Sequence, residues 1–195
     1  MWNQRYNTDE FIYGKEPNDF LKQEVFQIPK GDALSLGEGE GRNSLFLAQQ
    51  GYNVTALDIS DIGLSKARKL AQENDVAIKT VQADLSSFEF NKEQYDGIVS
   101  IFCHLPSDVR RRVNRGIVES LKVGGVLILE GYSKEQVNFN TGGPKLEEFL
   151  LSIQEMEDEL MGLEFKTLRL VEREVNEGIL HTGLGSVIQI VAVKR

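Results

Sequence analysis

The chain has 195 residues, 41% of them hydrophobic, enough for one globular domain with a core and outside the composition of disordered segments. A net charge of −8 repels phosphates and disfavours a general nucleic-acid binder, and the longest apolar runs are too short to span a membrane. The single cysteine, Cys103, excludes an internal disulfide, and Met1-Trp2-Asn3-Gln4-Arg5 leads into polar sequence rather than a leader, so a cytoplasmic location is expected.

Residues 1–31 precede the first core strand and carry Trp2, Tyr6, Phe11, Tyr13 and Phe20, aromatic side chains that need a surface to cover. Tyr13 to Asn18 reads as a turn and Asp19 to Phe26 as a short helix. The segment suits an arm packed on the domain and equally a lid over a site.

The next stretch organises the chain. Ala33 to Leu36 is a strand; Gly37, Gly39 and Gly41 form a turn; Arg42 to Gln50 is a helix stopped by Gly51; Tyr52 to Leu57 is a second strand ending on Asp58. Glycines let backbone pass close under a ligand, the helix start offers free N–H groups, and an acid at the second strand's tip can accept from a ribose diol. That combination builds a nucleoside site. The dinucleotide pattern G-x-G-x-x-G is not met, because Arg42 or Ser44 stands at its last position. A dinucleotide and the phosphate-free S-adenosylmethionine both remain open at this point.

Ser60 caps a helix expected over Asp61 to Asn74, followed by a strand over Ile78 to Gln82. Asp84 and Leu85 stand just past that strand, placed to meet an adenine amino group and ring. Tyr95 to Phe102 is a buried parallel strand. In open α/β sheets the crevice lies at the strands' carboxyl ends, which brings Phe102 and His104 to the site. Ser107 to Lys122 is a helix with Val109, Val113, Ile117 and Leu121 at four-residue spacing; Arg110, Arg111, Arg112 and Arg115 read as its solvated face. Gly124-Gly125 ends it, and Val126 to Leu129 is the next strand, leading to Glu130-Gly131-Tyr132.

From Ser133 the texture changes. Asn138 to Pro144 is loop-like, Ser152 with Glu155 forms a capping box for a helix to about Met161, and Leu163 to Val175 is a half-exposed edge strand. A turn carrying His181 leads into the last apolar strand, Ser186 to Val193. Two strands joined by a short loop are antiparallel. A parallel sheet that ends in such a hairpin favours S-adenosylmethionine over a two-half dinucleotide fold.

On Leu36-Gly37-Glu38-Gly39-Glu40-Gly41-Arg42-Asn43, Asp58 and Asp84-Leu85, the whole chain resembles the class I S-adenosylmethionine-dependent methyltransferases. More narrowly it is similar to the small tellurite-resistance and thiopurine-type branch, whose N-terminal arm Trp2-Asn3-Gln4-Arg5-Tyr6, Tyr13-Gly14 and Pro17 to Leu21 resemble. The resemblance implies an α/β, Rossmann-like, doubly wound sheet of seven strands in the order 3-2-1-4-5-7-6, with strand 7 antiparallel and helices on both faces. It implies one domain: an arm over 1–31, a cofactor core over 32–132, and a substrate-side helix and hairpin over 133–195. The cofactor would be S-adenosyl-L-methionine, met by Arg5, Gly37, Gly39, Gly41, Asn43, Asp58, Ile59, Asp84, Leu85 and Phe102, with Arg42 a second candidate for its carboxylate. The branch carries a histidine in its last hairpin, which makes His181 a catalytic candidate beside His104; Thr182 stands where an arginine is usual.

The family also places an acid two residues before the first glycine. Here that position is Ser35, with Glu38 and Glu40 as substitutes near the turn. Tyr13 and Tyr132 border the acceptor in this reading. The expected acceptor is a small molecule, including thiols, selenium and tellurium species, without nucleic-acid or membrane partners and with monomer and homodimer both open. Two histidines without a cysteine cluster offer no metal-site spacing. A nicotinamide-dependent oxidoreductase and a nonenzymatic binder of the same cofactor are the alternatives.

Overall fold

A computed structural model describes residues 1–195. Strands β1 (Asp32–Leu36), β2 (Asn53–Asp58), β3 (Lys79–Gln82), β4 (Tyr95–Ile101), β5 (Leu121–Tyr132), β6 (Leu163–Asn176) and β7 (Thr182–Lys194) form one sheet in the order β3-β2-β1-β4-β5-β7-β6. The first five strands are parallel neighbours, and β7 runs antiparallel to both β5 and β6. The expected order and hairpin are therefore present.

Period two along the strands separates two cores. Leu34, Leu36, Ile98, Leu127, Leu129, Ile188 and Ile190 point to one face, where helices α5 (Ser107–Ser120) and α6 (Ile153–Glu159) supply Val113, Ile117 and Met156. Ala33, Val54, Val99, Ile101, Val126, Ile128 and Val191 point to the other, against helices α2 (Asp19–Glu24) and α3 (Arg42–Gln49), through Phe20, Leu21 and Leu47. Covering both faces is what permits near-continuous apolar strands such as β4. Helix α4 (Asp61–Glu73) follows β2, with Ser60 Oγ accepting from Gly63 N at its start. No helix is long and apolar enough to cross a membrane.

Four local expectations change. The arm opens with a helix, α1 (Trp2–Tyr6), and the helix expected to Phe26 gives way to a 3-10 turn over Val25–Gln27. Helix α5 ends at Ser120, and Gly124-Gly125 lie inside the longer strand β5, where Gly124 takes a φ of +82° at an exposed bend. On β6, Leu168 packs against the α5–α6 core, yet Val175, of opposite parity, is also buried; a register shift at Phe165/Thr167 and the strand's twist break the simple alternation. Arg110 is no solvated side chain. It is buried, donating from Nε and Nη2 to Glu159 at 2.9–3.2 Å and from Nη1 to Leu150 O at 2.9 Å, and so locks α5 to α6. Arg112 donates to Leu85 O and Phe88 O at 3.0 and 2.7 Å.

Candidate active site

The carboxyl ends of β1, β2, β4 and β5 converge on the glycine turn. Gly37, Gly39 and Gly41 all hold positive φ, at +59°, +62° and +98°. A Cβ on Gly41 would stand 2.6 Å from the Ala67 backbone of α4, so α3 and α4 pack this closely only with hydrogen there. Gly41→Ala is expected to lower stability by about 3 kcal/mol, roughly 10 °C in Tm, because rigid backbone must move. A melting curve that matches wild type would remove this account of the turn.

Asp58 ends β2 inside the cleft. Its Oδ2 accepts from Gly39 N at 2.8 Å and its Oδ1 from Ser60 N at 2.8 Å. Burial raises its pKa, against the pull of those amides. Asp84 is exposed past β3; its carboxylate accepts from Ser86 N at 2.8 Å, which lowers its pKa and fixes the turn beside buried Leu85. Ile59 is 47% exposed at the tip after β2, apolar surface facing the same edge.

The arm covers the turn. Tyr6 is buried with its hydroxyl where a Gly39 Cβ would be, at 2.6 Å, and burial raises its pKa. Asn3 bridges Ser60 and Asp61, while Lys66 Nζ reaches Thr8 O, Glu10 O and Glu40 at 3.0, 2.6 and 2.5 Å. The arm also meets two of the residues expected at the cofactor: Arg5 donates to Tyr13 Oη at 3.0 Å and stacks on Trp2, and Asn43 Oδ1 accepts from Asn18 N at 3.0 Å.

Just past β4, Phe102 adopts a φ of +48°, a strained conformation for a bulky residue, with its N–H bonded to Glu130 O at 2.7 Å. Its ring packs on Tyr132 and His181 at 4.7 and 4.8 Å between centroids, and Tyr13 meets His181 at 4.6 Å. His104 and His181 lie near-parallel, 6.2 Å apart. His104 Nε2 and His181 Nδ1 are buried without partners, as is Arg42 Nη1. Burial, then the neighbouring His181 and Arg5, pulls the His104 pKa down to about 3; burial, then Arg42, pulls His181 down to about 4. Both rings are therefore neutral bases at physiological pH. Cys103 is no nucleophile here, since burial pushes its thiol up to about 12.

A polar network beneath this pocket escaped sequence reasoning. Asn18 is fully buried and donates from Nδ2 to both Glu130 and Glu177 at 2.8 Å. Arg173 bridges the same two carboxylates at 2.5 and 2.6 Å, and Arg42 also pairs with Glu177. Glu177 N–H donates to His181 O at 2.7 Å, which closes the β6–β7 turn that carries the imidazole. The only sequence signal was Glu130, an acid ending an apolar strand. No group of three or more His, Cys, Asp or Glu side chains is gathered as a metal site.

The glycine cradle, the Asp58 carboxylate and the unpartnered buried ring atoms beside them fit a nucleoside ligand. Residues 33–125 match the family described as a methyltransferase domain. Probable S-adenosyl-L-methionine-dependent methyltransferase TehB of Haemophilus influenzae is 32% identical over 107 residues, 53% of this chain and 37% of that protein. Ubiquinone biosynthesis O-methyltransferase of Rickettsia typhi is 30% identical over 111 residues, 56% of this chain and 44% of that protein. The chain thus spans less than half the length of these curated relatives. The crystal structure of TehB from Haemophilus influenzae superposes with a TM-score of 0.74 at 22% identity, covering 100% of this chain and 66% of that one. Residues 33–125 thus match a methyltransferase domain, the chain shares the Rossmann-like fold and strand order of its structural neighbours, and it is similar to TehB.

Proposed function

We propose that the protein is a cytoplasmic S-adenosylmethionine-dependent methyltransferase acting on a small-molecule acceptor such as a thiol, selenium or tellurium species. One observation carries the reading: the glycine turn and Asp58 lie at the same sheet edge as a cluster of two neutral imidazoles packed with Tyr13, Phe102 and Tyr132. The methyltransferase relatives support it, and the antiparallel β5-β7-β6 end argues against a second mononucleotide half and hence against a nicotinamide oxidoreductase.

Bound S-adenosylmethionine supplies an activated methyl on a sulfonium that leaves as a neutral thioether. Asp58 would hold its ribose diol, Asp84 and Leu85 its adenine, and the Gly37–Gly41 turn its amino-acid part. Tyr6 and the arm keep water out, so alignment provides most of the rate. An acceptor that arrives protonated gives its proton to the neutral imidazole of His181 or His104 as its new bond to carbon forms.

The first test is a thermal-shift comparison. S-adenosylhomocysteine at 100-fold over its Kd should stabilise by about 2.7 kcal/mol, whereas NAD should not; a shift with NAD alone overturns the reading. Turnover is then measured against thiols and selenium and tellurium oxyanions, and no turnover with any of them would favour a nonenzymatic binder. Where turnover is found, His181→Ala should cost about 100-fold in kcat with S-adenosylhomocysteine affinity unchanged. Because both imidazoles lose their proton near or below pH 4, kcat/KM should show no histidine inflection between pH 5 and 8. An inflection near 6.5 that His181→Ala abolishes would contradict the neutral-base assignment.

A further inference from the structure

The arm that covers the glycine turn also reaches the β6–β7 turn, and the two meet backbone to backbone. Ile179 N–H donates to Ile12 O at 2.8 Å. Gly178, at a φ of +77°, lies so close that a Cβ there would fall 2.5 Å from Tyr13 Cα and would also strike Ile12 O. Both are main-chain atoms, which cannot swing aside as the end of a long side chain can. The same arm residues are held from the other side. Tyr13 N donates to Glu40 of the glycine turn at 3.3 Å, Lys66 Nζ donates to Glu10 O at 2.6 Å, and Arg5 donates to Tyr13 Oη at 3.0 Å. The Tyr13 ring lies 4.6 Å from the His181 ring, and Glu177 N–H closes the turn on His181 O at 2.7 Å.

A left-handed φ alone would admit asparagine as well as glycine at position 178. The lack of any side chain is a second and separate requirement, set by the arm. We propose that Gly178 is a positioning residue for His181: it seats the β6–β7 turn on the Ile12–Tyr13 backbone, so that the arm covering the glycine turn also fixes the imidazole. The seat stands on this geometry; its consequence for turnover rests on the methyltransferase reading. Burial is the largest cause of the low His181 pKa. Arg42 of α3 comes next, Arg5 of the arm and Arg173 of β6 act in the same direction, and Glu177 of the turn opposes them. Tyr13, Tyr132 and His104 pack on the ring uncharged. Lifting the turn from its seat exposes the ring to water and so removes the largest of these causes.

The readout is the His181 imidazole, followed by NMR on the folded protein without ligand and told from His104 with a His104→Gln variant. Wild type should show no titration of His181 between pH 5 and 8. Gly178→Ala and Gly178→Asn should both bring a titration into that range, toward the ordinary value of 6.5, with His104 still silent. Asparagine accepts the left-handed φ yet carries the Cβ, so it separates the arm's requirement from strain in the turn itself. A purely structural role would lower Tm and leave the titration of the folded molecules unchanged. Where an acceptor turns over, kcat/KM of both variants should gain an inflection in the same range. Amide exchange on wild type covers the case in which the variants fail to fold: Ile179 N–H should be slowed by about 100-fold or more. A wild-type His181 that titrates near 6.5, an unprotected Ile179 amide, or a folded Gly178→Asn that titrates as wild type does overturns the proposal. None of these measurements uses a donor, so S-adenosylhomocysteine binding tests the methyltransferase reading separately.

Discussion

An Asp58→Ala variant is expected to bind S-adenosylhomocysteine about 100-fold more weakly than wild type. The carboxylate has room for more than the two amides it holds: roughly four lone-pair sites, with Gly39 N and Ser60 N taking one on each oxygen. The remaining positions suit a vicinal diol. Two hydrogen bonds to a charged acceptor contribute about 3 kcal/mol together, which is the stated loss. The same group opposes folding. Burial raises its pKa, so its contribution to stability is fully present below the ordinary carboxylate range and is lost as pH rises through the folded value. Asp58→Asn keeps one acceptor for the amides and removes the buried charge. One backbone N–H then faces the new NH2 group, which offsets the gain from losing the charge, so its melting temperature at neutral pH should stay near that of wild type while its affinity falls. Calorimetric titration beside a melting curve checks both halves. Undiminished affinity in either variant would mean that Asp58 does not hold the ribose.

The features legible in the sequence were those whose causes are local. Three glycines with positive φ, an acid ending β2 and an uninterrupted apolar run in β4 each announce a backbone requirement within a few residues. Strand order followed from short connections and from the hairpin at the chain's end. What was not legible depends on distant partners. Arg110 lies in a run of arginines that reads as a wet helix face, and only the arrival of Glu159 from α6 makes burial favourable. Glu38 and Glu40 are neighbours but one in sequence, yet one meets Lys66 and the other meets Ser35. Arg5 and Asn43 stand in motifs that suggest a ligand, and their hydrogen bonds to the arm's own Tyr13 and Asn18 could not be read from those motifs. Asn18 is separated by 112 residues from Glu130 and by 159 from Glu177, a distance no periodicity spans.

That network gives the largest expected stability effect. Arg173→Ala should destabilise the fold by about 3–5 kcal/mol, the range for removing one partner of a buried ion pair. Arg173 is the only guanidinium on Glu130, whose side chain is 0% exposed, and it shares Glu177, at 4%, with Arg42. Without it, two carboxylates face each other across Asn18, with Arg42 still on Glu177 and no cation on Glu130. The penalty comes from the stranded charge more than from the lost bonds, so Arg173→Ala with Glu130→Gln should recover part of the stability. The pH dependence has a defined sign. The adjacent arginines hold Glu177 below the ordinary carboxylate range despite its burial, so its stabilisation is present above that range and fades as pH falls through the folded value. Arg173→Ala removes part of that depression and should flatten the acid limb of the stability curve. The change also reaches the pocket, because Glu177 N–H holds the His181 carbonyl and Asn18 ties the arm to both acids. Denaturant titrations from pH 3 to 8 on the single and double variants measure each term. A single variant within 1 kcal/mol of wild type, or a double variant worse than the single, would show that the arginine does not neutralise this pair.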